Sequence, residues 1–291
     1  MSKPDINCVT SELVKGLEEW AESSAHSSRF INFYLSLLRI QAEVESKAGI
    51  PAIGLPQETL NCRLAEGQPL TRFTEMDIDW DNARETFQRI ALLFKEFSDV
   101  VPEYSKLKTE SLPELNEILA QNWLNGEPLA QEAESAGLSS REFATLLHHT
   151  LRPFLTGYAI AFKVRFNQQS WRRGNCPVCG SIPSFSYLEK ENGARYLICS
   201  CCNMDWLFQR LDCPFCHNTD HKTLSYKTDE TGTYRLYLCE KCKGYLKTID
   251  FRKAGGKINL GLEAITSVDL DLQARELGYG SGEDNRTSSG S

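Results

Sequence analysis

The hydrophobic positions of this chain follow two different periods, and the change falls near Trp171. From Ser28 to Ala48, Phe30, Phe33, Tyr34, Leu37, Ile40 and Val44 recur at spacings of three and four, with Gln41 as a polar break. That spacing predicts one apolar stripe on a helix. A second stripe, Trp80, Ala83, Phe87, Ile90, Ala91 and Phe94, follows Asp79, a side chain suited to capping a helix start. Leu115, Ile118, Leu119 and Trp123 predict a shorter helix, and Phe143 to Phe166 a long, more buried one. Gly49, Pro51, Gly54 and Pro56, then Gly67 and Pro69, then Pro102, then Gly126 and Pro128 break the pattern between them. About five helices with no strand signal between them predict a compact helical domain over residues 1–170, with its aromatic residues in the core.

Beyond Trp171 the period shortens. Strand-like runs at 184–189 and 194–198 flank Asn192-Gly193, a strong hairpin-turn pair, and runs at 224–228 and 234–238 flank Asp229-Glu230-Thr231-Gly232. After Lys253 the helical period returns, with Leu262, Ile265, Val268 and Leu272 on one side, predicting a C-terminal helix over 254–277. Residues 278–291 are mostly Gly, Ser and charge, which predicts a flexible tail.

The cysteines explain the second regime. Of eleven, nine fall between Cys176 and Cys242, and eight of these form four Cys-x-x-Cys pairs: Cys176/Cys179, Cys199/Cys202, Cys213/Cys216 and Cys239/Cys242. Nineteen residues separate the first two pairs and 22 the last two, but only ten lie between Cys202 and Cys213. Each half is a knuckle, strand, turn, strand and knuckle, and the halves repeat: Cys-Pro-x-Cys opens both, and Arg195 and Arg235 each stand four residues before the closing pair. Two thiolates three residues apart on a tight turn, faced by a second such turn across a hairpin, complete a tetrahedral four-sulfur shell. Two metal modules follow, 171–212 and 213–253, each a small zinc-ribbon-like hairpin stapled by an ion. Cross-bracing, first pair with third and second with fourth, is the other arrangement the spacing admits. A hairpin of this size buries too little apolar surface to fold alone, and a structural metal supplies on the order of 10–16 kcal/mol.

Thiolate ligands select zinc or iron without separating them. A disulfide scaffold fits poorly, because the cysteine number is odd and residues 1–10 lack a secretion-signal layout. Cys201, between two ligands, is read as a spectator thiol, the alternative being a substitute ligand. His217 follows a ligand, but eight positions are already filled. His148 and His149, neighbours on a helix, are read as one buried and one exposed.

From Trp171-Arg172-Arg173-Gly174-Asn175-Cys176-Pro177-Val178-Cys179-Gly180-Ser181-Ile182-Pro183, through Ala194 to Cys202, Trp206 and Arg210, to Cys239-Glu240-Lys241-Cys242-Lys243-Gly244-Tyr245-Leu246-Lys247, the chain resembles the FdhE family, the formate dehydrogenase accessory (formation) proteins of bacteria. Asp269 to Tyr279 resembles that family's end, and Arg29 to Gln41 and Gln68 to Trp80 resemble its helical part more loosely. The resemblance implies a cytoplasmic assembly factor rather than an enzyme, with two rubredoxin-like modules holding iron. It also implies the catalytic subunit of formate dehydrogenase as partner, with a homodimer left open.

Composition narrows the rivals. Thirty-two basic against 39 acidic residues leave a net charge of −7, which argues against general nucleic-acid coating. Residues 171–253 carry 13 basic and 9 acidic residues, a mild +4 that forms no stripe in the sequence, so a zinc-ribbon nucleic-acid binder is the weaker reading. No run of about 18 apolar residues predicts a membrane span. No nucleophile–base pair, paired carboxylates or phosphate loop stands out, so no catalytic residue is assigned; an iron-dependent redox factor is the remaining alternative.

Overall fold

The computed structural model describes residues 7–23, 27–255 and 258–282. The chain divides into two compact units, one of Met1–Ile53 with Thr71–Ala161, the other of Gly54–Leu70 with Phe162–Ser291.

The first unit is helical: α1 (Asn7–Ser23), α2 (Ser28–Ala48), α4 (Trp80–Glu96), α5 (Glu117–Asn125), α6 (Ala130–Ser135) and most of α7 (Ser140–Lys163), joined by short 3₁₀ turns. The expected α2 and α4 stripes supply buried faces, whereas in the shorter stripe Ile118 is 72% exposed and Leu115 precedes the helix. Phe33, Leu37 and Val44 of α2 and Phe87, Ile90 and Phe94 of α4 are buried, and the Phe33 and Phe94 rings meet edge to face, 5.0 Å between centroids. The Asp79 carboxylate caps α4 by accepting from the Asn82 amide at 3.0 Å.

Gln41, the polar break in the α2 stripe, has a specific task. Pro153 lies inside α7 and has no N–H for the carbonyl four residues back, that of His149. Gln41 Nε2 donates to that carbonyl at 2.9 Å instead. His149 itself packs on Phe94, burial of its ring holds its pKa well below the usual histidine value, and half-buried His148 sits against Trp123.

In the second unit, α3 (Gln57–Glu66) joins six strands: β1 (Pro183–Leu188), β2 (Arg195–Cys199), β3 (Asp205–Phe208), β4 (Leu224–Thr228), β5 (Tyr234–Cys239) and β6 (Tyr245–Asp250). The four expected strands are present, and each hairpin gains a third strand, β3 or β6. The two three-stranded meanders then join into one sheet of order β3-β2-β1-β6-β5-β4. All pairings are antiparallel except the β1–β6 seam, which is parallel and pairs Phe185, Ser186, Tyr187 and Leu188 with Lys247, Thr248, Ile249 and Asp250. The Ser186 and Thr248 hydroxyls are buried at that seam, 2.5 Å apart.

After the sheet come two short helices rather than one, α8 (Leu260–Thr266) and α9 (Val268–Glu276), parted at Ser267. Ala274 and Tyr279 bury one face of the second meander against Leu236, Leu238 and Tyr245. Tyr279 and Gly280, inside the segment expected as a flexible tail, are tied to the sheet. Gly280 bridges Gly244, its N–H donating to the Lys243 carbonyl at 2.8 Å, and Tyr279 is buried. A glycine-rich composition concealed one anchoring tyrosine. Residues 283–291, the rest of that expected tail, lie outside the described residues.

Candidate metal centres

Each cysteine pair sits on a knuckle built the same way. In the first, the Gly180 amide donates to the Cys176 carbonyl at 3.0 Å and the Cys176 amide to the Ser181 carbonyl at 2.8 Å. In the third, the His217 and Cys213 amides repeat this with the Cys213 and Asn218 carbonyls at 3.0 and 2.9 Å. The residue after each second cysteine takes a left-handed backbone: Gly180 (φ 78°), Asn203 (59°), His217 (56°) and Lys243 (53°). His217 is thus the turn residue of its knuckle. Gly174 is needed for a different reason, since a Cβ there would stand 1.9 Å from the Pro214 carbonyl oxygen.

The strands bring the knuckles together in sequential pairs. One set of four sulfurs comes from Cys176, Cys179, Cys199 and Cys202, the other from Cys213, Cys216, Cys239 and Cys242, with all sulfurs of a set within 4.8 Å of one another. The cross-braced arrangement is not the one formed. Sγ–Sγ distances are 3.6 Å for Cys176–Cys202 and 3.4 Å for Cys179–Cys199, then 3.7 Å for both Cys213–Cys242 and Cys216–Cys239. A tetrahedron with metal–sulfur bonds of about 2.3 Å has edges of about 3.8 Å, so each set is the size of a metal shell. Amides face the sulfurs: Val178 N–H lies 3.4 Å from Cys176 Sγ, and Cys201 and Cys202 N–H lie 3.3 and 3.4 Å from Cys199 Sγ. Asn218 Nδ2 lies 3.7 Å from Cys239 Sγ.

In the first set, burial raises the Cys176 and Cys202 thiols. Burial also opposes a Cys179 thiolate, but hydrogen bonds from Cys176, Cys199, Cys201 and Cys202 outweigh it and pull its pKa well down. In the second, a hydrogen bond from Cys213 brings Cys242 down to about 5, and Cys213 is raised in turn. Burial pushes Cys216 up to about 11. Four thiolates together need a cation at their centre. The first set is wholly buried, whereas Cys216 and Cys242 of the second are partly exposed. Buried Cys201 directs its thiol at Cys179, adding a fifth sulfur beside the first set.

Both centres lie at one end of the sheet. Each is held at the start of its meander's first strand, the end of its second and the start of its third. Because β1 and β6 run parallel, the two meanders point the same way. The middle strands β2 and β5 are three strand intervals apart in the sheet order.

Comparison with known proteins agrees. The model of the FdhE central domain matches residues 175–210, the first meander with its knuckles. An FdhE homolog of Aquifex aeolicus (strain VF5) is 32% identical over 268 residues, 89% of this chain and 88% of its own length. The chain belongs to the FdhE family. FdhE of Escherichia coli (strain K12 / DH10B) is 30% identical over 110 residues, 37% of this chain and 35% of that one. The crystal structure of the FdhE protein from Pseudomonas aeruginosa covers 96% of this chain at a TM-score of 0.59 and 20% identity, so the fold is shared. The helical region, the sheet with two four-cysteine clusters and the C-terminal helices are that fold. Among the described residues, no helix of this family member is long and apolar enough to cross a membrane.

The sequence missed one set of residues. Arg195, Arg210, Arg235 and Arg252, scattered over 58 positions, converge on one face of the sheet. Only the matched position of Arg195 and Arg235 in the repeat hinted at this.

Proposed function

We propose that this FdhE-family protein acts in the formation of active formate dehydrogenase, by binding its catalytic subunit in the cytoplasm and without turning over formate itself. Family membership carries the reading. The eight paired cysteines are taken as ligands of two metal ions, an assignment supported by sulfur sets of tetrahedral size. Iron, which the family resemblance implies, would add a redox couple, whereas zinc would act as a closed cross-link. A reducing compartment suits eight thiolates held unpaired by disulfides.

The sheet supports a gripping role. Two metal-stapled knuckle sets at the same end of one sheet would give a client a braced surface. The test is deletion: cells lacking the protein are expected to make the catalytic subunit but oxidise little formate, and tagged protein is expected to retain that subunit. Unchanged formate oxidation across growth conditions would refute the role. Metal analysis of the same sample separates the centres, since iron–tetrathiolate is coloured and bleaches on reduction while zinc is colourless.

A further inference from the structure

Along β5, Leu236 and Leu238 face the C-terminal helix, so Arg235 and Tyr237, one position on, face the other way. On that side the four arginines meet. The Arg195 guanidinium lies 4.1 Å over the Tyr237 ring, and that of Arg235 lies 4.9 Å over Tyr226. Arg235 and Arg252 share one carboxylate, Asp250, at 2.6 and 2.7 Å. Arg252 and Arg210 close on the Asn192-Gly193 turn, where a Cβ on Gly193 would stand 2.8 Å from one and 3.4 Å from the other. Two of the four cations thus share one buried carboxylate, while Arg195 and Arg210 have no carboxylate partner among these contacts. Asp212 stands nearby, and its backbone carbonyl accepts from Arg195 Nη1 at 3.2 Å. Arg195 and Arg235 are 2% and 9% exposed, and the Nε–H of each lacks a hydrogen-bond partner. A buried guanidinium with an unused donor is costly unless negative charge balances it.

Arg195, Arg210, Asp212, Tyr226 and Tyr237 of this group border a cavity of about 500 Å³, well inside the size range of small-molecule sites. Leu224, Tyr226, Tyr237, Leu246 and Phe215 make its walls apolar and aromatic, and Arg195 and Arg210 open onto it. We propose that this cavity binds a small organic anion, a phosphate or carboxylate engaged by Arg195 and Arg210 and carried on a flat apolar body that lies against Tyr226 and Tyr237. The planar guanidinium fork matches such oxyanions, and the ligand supplies the negative charge that the cluster lacks. The tyrosine and leucine walls take up the apolar body. One wall contains Cys213 and Cys239, so the ligand sits directly beside the second metal centre.

The test uses the full-length protein with both centres metal-loaded, titrated calorimetrically with 1-naphthyl phosphate. Inorganic phosphate and 1-naphthalenemethanol serve as its two halves. The whole probe is expected to bind roughly tenfold or more tightly than either half. Arg210→Gln and Tyr226→Ala alter exposed side chains and leave the fold in place. Each is expected to weaken binding at least about fivefold, with metal content and circular dichroism unchanged. Arg195→Gln is expected to remove it. No binding at about 1 mM probe, equal binding of the neutral alcohol, or full affinity in both exposed-residue variants would overturn the proposal. So would a single-stranded oligonucleotide that outcompetes the probe, since the arginines would then be reading a strand.

Discussion

Replacing Cys213 and Cys216 with serine removes two ligands of the second centre, and the β1–β6 seam sets how far the damage travels. Had the hairpins been separate, the first centre would keep its affinity. In one sheet, loosening β6 withdraws the partner of β1, the strand that follows the Cys176/Cys179 knuckle. Four residue pairs cross the seam, with about one ladder bond each at about 1 kcal/mol, and the buried Ser186–Thr248 contact adds roughly another. The ceiling on coupling is therefore about 5 kcal/mol. Loss of half of it weakens the first centre by roughly 30- to 100-fold, at about 1.4 kcal/mol per decade. Chelator competition reads this directly, by following metal release from the Cys176 set in wild type and variant. Linkage is reciprocal, so Cys176→Ser with Cys179→Ser is expected to weaken the second centre by the same factor. The helical dichroism of the first unit is the control. First-centre affinity within about twofold of wild type would sink the idea that the seam transmits.

Three further outcomes follow from single residues. Gln41→Leu orphans the His149 carbonyl and is expected to cost about 1–3 kcal/mol in urea unfolding, but clearly less in a Pro153→Ala background, where a backbone N–H returns; equal cost in both backgrounds would disprove the substitution of one donor for the other. Burial raises the Glu45 pKa despite a hydrogen bond from Thr10 at 2.5 Å, so the folded state holds that proton more tightly than the unfolded one. Stability from Glu45 is then full below the ordinary carboxylate pKa and lost as pH rises through the raised one; Glu45→Gln is expected to raise the thermal midpoint at pH 7 and lose that advantage near pH 4. His217→Gly relieves a left-handed backbone and is expected to stabilise by up to about 1 kcal/mol with both metals retained; metal loss would make His217 a ligand after all.

Local signals read well. The α2 stripe gave its helix because one apolar face spans the whole element, and Asp79 marked the start of α4 by its side-chain chemistry. The knuckles were plain because metal geometry ties cysteine spacing to turn geometry. The third strands were missed for an equally physical reason. Every residue of β6 is buried, so it shows no alternation, and β3 is nearly the same. The seam and the arginine cluster depend on pairings between residues some 60 positions apart, which no local period records. Helix α3, which was not singled out from the sequence, belongs with the sheet: Leu70, shortly after it, donates its amide to the Pro177 carbonyl at 2.9 Å.

The parallel seam joins the two meanders by translation, the first strand of one meeting the third strand of the other. Such head-to-tail joining leaves an open array unless the rotation between copies closes a ring, and here the sheet is open. A duplicated ancestral module would add copies in this way indefinitely, each offering the same free edge to the next. In this chain the series stops at two, with β4 and β3 as its outer edges, and β4 ends it with a short, exposed run that includes Lys227. The same logic makes β4 the position where a third metal-stapled meander could be grafted in register, and where a lysine-to-valine change would invite the molecules to polymerise.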